Sequence, residues 1–191
     1  MCYVLREKSG FTLFELMVTI SMIVLLLTMS SIAFRNTNKR TELIFTAHQV
    51  AAMARLAESY AASAKELDNI ASQNIWGLYF DKNDAKKIIM FVDKDNNQLY
   101  SAGEETRVLP LPHQIFVSNI FKLNSSDPTV WDPVDQAVIL YSPPDPKTTL
   151  RCSISGAWEA PGVVRVVLKD EANESVKTIK FNFFGLIDVP Q

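Results

Sequence analysis

From Phe11 to Phe34 the chain carries one ionisable residue, Glu15, and from Phe11 through Trp76 it has no glycine or proline. A helix over this apolar stretch would extend about 36 Å at 1.5 Å per residue. The hydrocarbon core of a bilayer is about 30 Å thick. The stretch shows no amphipathic period, so it reads as a membrane span rather than as a buried soluble helix. Glu15 is then the anomaly. A charged side chain at the centre of an inserted helix costs roughly 2.5–3.5 kcal/mol.

A secretory signal has a shorter apolar stretch, with its small-residue cleavage site behind it. Here the small pair Ser9-Gly10 precedes the span, directly after Arg6-Glu7-Lys8. A cut at Gly10 would remove a short leader and keep the span. Arg6 and Lys8 would hold that leader on the cytoplasmic side, leaving the carboxy-terminal bulk outside. Arg35, Lys39 and Arg40 follow the span as an ordinary headgroup-level cluster.

The run Lys8-Ser9-Gly10-Phe11-Thr12-Leu13-Phe14-Glu15-Leu16 resembles the processing site of type IV prepilins and type II secretion pseudopilins. The resemblance implies cleavage between Gly10 and Phe11 by a prepilin peptidase, and N-methylation of Phe11 by the same enzyme. It also implies a single-pass protein of the bacterial inner membrane, with its C-terminal domain periplasmic. The partners would be other pilin or pseudopilin subunits. The new α-amino group at Phe11 would have an ordinary pKa of about 7.7–8.0. Phe11 and Glu15 are i and i+4 on one helical face, in the first turns, where the helix dipole favours a carboxylate. In a bundle, the resemblance implies, Glu15 neutralises the amine of a neighbouring subunit. An unpaired ion in apolar surroundings is far costlier than a paired one, so Glu15 would penalise wrong stacking.

Beyond the span, Leu43, Ala47, Val50, Ala54, Ala57, Ala61 and Ala64 fall at alternating steps of four and three. This is one helical stripe of mostly small residues, which lets a backbone approach a sheet closely. Phe45, Met53, Leu56 and Tyr60 are expected to broaden that face. The helix should continue to about Ala64–Leu67, as a rod of roughly 80 Å, with Asn36-Thr37-Asn38 as its weak point.

After about residue 70 the pattern changes to short β-rich runs, at 75–80, 87–92, 115–121, 137–141, 163–168 and 176–181. The last two flank the polar turn Asp170–Ser175, and all nine prolines lie beyond residue 109. The expected fold class is α+β. A leader at 1–10 is followed by a transmembrane helix at 11–34 and its continuation at 35–67. A β-rich domain at 68–191 follows. The long helix should pack on an antiparallel sheet. This order is similar to the pilin-like fold of the H-type minor pseudopilins and the FimT-like minor pilins. Their closing hairpin is matched by Thr178–Gly185. Some FimT-like pilins bind DNA through basic residues after that glycine. Here Gly185–Gln191 contains no Arg or Lys. Phosphate contacts supply most non-specific DNA affinity, so nucleic acid is not an expected partner.

One further segment has ligand-like spacing. In Asp93–Glu104, the residues Asp93, Asp95 and Asn97 occupy positions one, three and five of a twelve-residue calcium loop. Ser101 falls at nine and Glu104 at twelve. Gln98 stands where the sharp turn calls for glycine, and the flanks read as strands. The plainer reading is a polar hairpin turn, with Asp and Asn chosen for local backbone bonds. Calcium is a candidate on this loop alone, and no other cofactor is expected.

The remaining composition excludes more than it suggests. Net charge is −2 over 191 residues, without a long basic run. Cys2 and Cys152 lack metal-ligand spacing and read as free thiols. His48 and His113 have no nucleophile in a recognisable motif, and six glycines form no phosphate loop. The chain is not expected to be an enzyme. Two classes stay open: an assembly subunit that starts or caps a fibre, and a minor pilin acting as a binding module. In the second, Trp131 in the polar loop 122–133 is the candidate anchor, unless it pins its own loop.

Overall fold

The computed structural model describes residues 12–63, 74–143, 147–171 and 174–190, and for 31–40 the backbone alone. The leader 1–10, the cleavage pair Gly10 and Phe11, Cys2, the 64–67 end of the expected helix and the prolines at 144 and 146 lie outside those residues. Among the described residues there is one α-helix, α1, which runs Leu13–Ala62. The chain divides into two compact units, Met1–Lys39 and Arg40–Gln191.

In the first unit, every side chain from Thr12 to Ser30 is exposed. The window Leu13–Ser30 has a mean hydropathy of 2.1 and is long and apolar enough to cross a membrane. Three of its hydroxyls are turned back onto the helix. Thr19 Oγ1 donates to the Leu16 carbonyl at 2.9 Å, Ser21 Oγ to Met17 at 2.8 Å, and Thr28 Oγ1 to Leu25 at 2.8 Å. Such back-bonding lets hydroxyls sit in an apolar stretch without an outside partner.

The second unit is α+β. The predicted stripe is its helical contribution: Leu43, Ala47, Val50, Ala54, Ala57 and Ala61 are all buried. Met53 is buried with them. Phe45 is not, at 61% exposed. Two residues on from Leu43 is about 200° around the helix, so Phe45 leaves the apolar face.

The β-strands make two antiparallel sheets rather than the single sheet expected. The six-stranded sheet has the order β3-β2-β1-β6-β7-β8. It contains β1 (Ile75–Asp81), β2 (Lys87–Asp93), β3 (Glu105–Pro110), β6 (Gln136–Ser142), β7 (Lys147–Ile154) and β8 (Ala157–Glu159). The five-stranded sheet, β11-β10-β9-β4-β5, contains β4 (Ile115–Leu123), β5 (Trp131–Val134), β9 (Val163–Asp170), β10 (Val176–Asn182) and β11 (Ile187–Asp188). A two-residue turn, Ser155-Gly156, joins β7 to β8 with φ of 49° and 90°. Two positive values in a two-residue loop match the right-handed twist of the paired strands.

Period-two alternation decides which residues meet. Trp76, Leu78 and Phe80 of β1, Ile88, Met90 and Val92 of β2, and Ile139 and Tyr141 of β6 face the helix stripe. Val164, Val166 and Leu168 of β9, with Ile179 and Phe181 of β10, join them from the second sheet. Phe80 and Phe181 meet across the two sheets at 5.7 Å. Ile89, Phe91, Val138 and Leu140 point the other way and form a second cluster on the outer face of the six-stranded sheet.

Candidate functional site

The loop between β2 and β3 lies across that outer face. Tyr100 packs on Tyr79 of β1 at 4.6 Å and on Phe91 of β2 at 5.5 Å. Gln98 accepts a hydrogen bond from Arg151 Nη2 of β7 at 2.5 Å. The Tyr100 hydroxyl donates to Glu105. The loop is therefore a cover for apolar side chains as well as a turn.

Its acidic residues converge. One oxygen each from Asp93, Asp95 and Glu104 lies within 4.8 Å of the others. Asp93 is 4% and Glu104 6% exposed. Their oxygens organise the backbone. Asp93 accepts from the amides of Asn97 at 3.1 Å and Gln98 at 2.8 Å. Glu104 accepts from the amides of Lys94 at 2.8 Å and Ser101 at 2.9 Å. Asp95 accepts from the Asn97 amide at 3.1 Å and from Asn97 Nδ2 at 2.7 Å. Asn97 thus gives the cluster a donor rather than an oxygen; its Oδ1 accepts from the Leu99 amide at 2.6 Å. Of the sequence candidates, Asp93, Asp95 and Glu104 come together, and Asn97 does not join them as an oxygen ligand.

Gln98 was the residue that broke the calcium-loop pattern. It nevertheless adopts φ of 61°, and Asn96 adopts 63°. The left-handed turn forms without glycine, at the conformational cost a non-glycine residue bears there. Burial is the largest influence on the Asp93 carboxyl and raises it above the ordinary carboxylate range. Asp95 and Glu104 push the same way, and the amides of Gln98 and Asn97 do not cancel them. Burial and then Glu105 push the Tyr100 phenol up to about 12, so it stays protonated and keeps donating.

The second candidate is the start of α1. Thr12 precedes the first helical residue, and its Oγ1 accepts the Glu15 amide hydrogen at 3.2 Å. A threonine cap with glutamate three residues on is the spacing of a capping box. That signal was present in Thr12-Leu13-Phe14-Glu15 and was missed by the sequence reading. Glu15 therefore has a local reason for its position besides any partner in another chain. Its side chain is exposed.

Trp131 is not a free anchor. It opens β5, with the Arg165 guanidinium 3.7 Å from its ring centroid. Cys152 is a buried free thiol that burial pushes up to about 12, which leaves it unreactive near neutrality. His48 and His113 share no ion pair or hydrogen-bond cluster with a nucleophile among the described side-chain bonds.

Comparison of the chain with protein-family models, with curated proteins and with solved structures found no match.

Proposed function

We propose that the chain is a minor subunit of a pilus-like fibre, an H-type minor pseudopilin that helps initiate or cap the pseudopilus of type II protein secretion. The observation that carries this reading is the pairing of two sequence features. A processing-site motif ends at Glu15, and Glu15 is the single ionisable residue of the exposed apolar window Leu13–Ser30. The order of a long helix followed by antiparallel sheets, with its small-residue stripe buried, supports a pilin-like fold. On this reading a prepilin peptidase cuts between Gly10 and Phe11 and methylates Phe11. The apolar helix waits in the inner membrane, with the β-rich domain in the periplasm. It then enters a helical bundle, where Glu15 meets the amine of a neighbouring subunit.

A second reading is a minor type IV pilin that binds a surface. The β10–β11 turn favours it, since Phe183, Phe184 and Leu186 are exposed, Phe184 at 79%. Nucleic acid is not the partner proposed, because the tail after Gly185 offers no cation to phosphate.

The test is processing. Co-expression with a prepilin peptidase should shorten the chain by residues 1–10, and intact mass should show methylation of Phe11. Gly10→Leu should leave a full-length precursor. Normal shortening of that variant would sink the cleavage assignment.

A further inference from the structure

The outer face of the five-stranded sheet gathers cations. Val164, Val166 and Leu168 of β9 point into the core, so Arg165, Val167 and Lys169 alternate with them and point away, each half-buried. Arg165 is the cross-strand partner of Lys180 on β10 and of Phe121 on β4, and Lys169 is the partner of Phe116. Lys86 joins them, its Nζ 5.3 Å from the Phe116 ring centroid. The chain as a whole has a net charge of −2, so this face runs against its composition.

Directly opposed residues share a face with Cβ atoms about 4.5–5.5 Å apart, and like charges in that relation destabilise a sheet. Arg165 and Lys180 are such a pair. Asp188 of β11 stands on the far side of Lys180 in the same row, and Glu171 and Glu174 sit in the turn past the strand ends. Even so, among the described residues Arg165, Lys169 and Lys180 are in no ion pair. A local conflict of this kind marks a place where a sheet serves something besides its own stability.

The surroundings narrow the occupant. The Arg165 guanidinium lies 3.7 Å from the Trp131 ring centroid, and Lys86 stands over Phe116. Those two ring faces are taken, which removes platforms on which bases would stack. A guanidinium stacked on an indole still presents its N–H fork in its own plane, the geometry that grips a carboxylate. The acidic loop of a second copy is a poor source of that carboxylate. Asp93, Asp95 and Glu104 are already held by amides of their own loop.

We propose that this face docks an extended acidic segment of another protein, lying along β9 with its carboxylates on Lys169 and on the Arg165–Lys180 pair. Lys169 and Arg165 are about 14 Å apart along the strand at 3.4 Å per residue. An extended segment repeats with the same rise, so acidic residues four apart meet both. The residue midway between them lies over Val167 and Thr178, which are themselves cross-strand partners. The docking face does not depend on the fibre reading.

The test uses the full chain in a non-ionic detergent, titrated by calorimetry with a peptide repeating Glu-Thr-Ser-Thr. The peptide should bind, and bind more weakly as salt is raised. Lys169→Gln and Lys180→Gln should each weaken binding several-fold and together about tenfold. Lys180→Gln should not lower the melting temperature, since it removes a like charge beside Arg165. Lys147→Gln, on β7, should leave binding as it is. A peptide of the same composition with its glutamates in one block should bind clearly less. Equal binding by the block peptide, or a double variant that binds as the wild type does, would overturn the proposal. So would no binding at all, or an oligothymidylate held more tightly than the repeating peptide.

Discussion

Gly77 and Phe91 are cross-strand partners, and the Phe91 ring lies 2.7 Å from the point where a Cβ on Gly77 would stand. Leu140 Cδ2, on the other side, is 2.9 Å from the same point. The missing side chain thus lets the outer apolar cluster close over β1. Gly77→Ala should cost about 1–3 kcal/mol, the range for overpacking a tight site. Thermal melting of the full chain in detergent would measure it. Phe91→Leu in the Gly77→Ala background should recover part of the loss, since the ring is what the methyl meets.

Arg165 over Trp131 decides whether β5 carries an anchor or a clamp. A guanidinium on an indole face contributes about 0.5–2 kcal/mol, more when desolvated. Arg165→Ala should lower the melting temperature and open the loop 124–130 to limited proteolysis. If the loop stays resistant, Trp131 is held by other contacts and the clamp is not Arg165.

The six apolar runs were legible either by period two, as in Val163–Leu168, where alternate residues are buried, or as unbroken apolar stretches buried on both faces, as in β2 and β6. β3 was not, since Glu105, Thr106 and Arg107 are exposed on an edge strand and leave no apolar period. Edge strands are blunted in this way against pairing with other chains. β7 does alternate, with Thr148, Leu150 and Cys152 buried, but its other face, Lys147, Thr149, Arg151 and Ser153, is polar, and Thr148 puts a polar residue on the inner face too. The split into two sheets was out of reach for a different reason. The chain leaves the second sheet after β5, builds β6 to β8 in the first, and returns for β9. Nothing local in Val134-Asp135-Gln136 records that crossing. The acidic loop was legible as a turn, while its role as a cover depends on Tyr79 and Arg151, distant in sequence.

Asp93 gives the loop a pH signature with a definite sign. Its carboxyl is raised in the folded state, so its stabilising contribution is fully present below the unfolded value of about 3.9 and is lost as pH rises through the folded one. Asp81 works oppositely. Burial acts to raise it, but the Asn83 amide, the Tyr79 hydroxyl and Gln136 outweigh burial and lower it, so its contribution is lost as pH falls. Asp93→Asn should therefore flatten the decline in stability just above pH 4 and leave the acid limb from Asp81. The slope is the readout, because the overall level also reflects the amides of Asn97 and Gln98. The turn reading expects the same curve in calcium and in chelator. A melting temperature that climbs with calcium would instead assign a cation to Asp93, Asp95 and Glu104, by about 2.7 kcal/mol at a hundredfold excess over Kd.

Glu15 has two possible reasons to be where it is, and one substitution separates them. The Thr12 cap takes the backbone amide of residue 15, which glutamine offers as glutamate does, and either side chain can complete a capping box. The proposed partner amine needs a negative charge. Glu15→Gln should therefore keep the helix and its membrane insertion, measured by circular dichroism and by fractionation, and lose crosslinking to other fibre subunits. Thr12→Ala should do the reverse, weakening the first turn by about 1 kcal/mol while leaving the crosslinks. If Glu15→Gln crosslinks as the wild type does, the carboxylate serves the cap alone, and the pairing of Glu15 with a neighbour's amine is wrong.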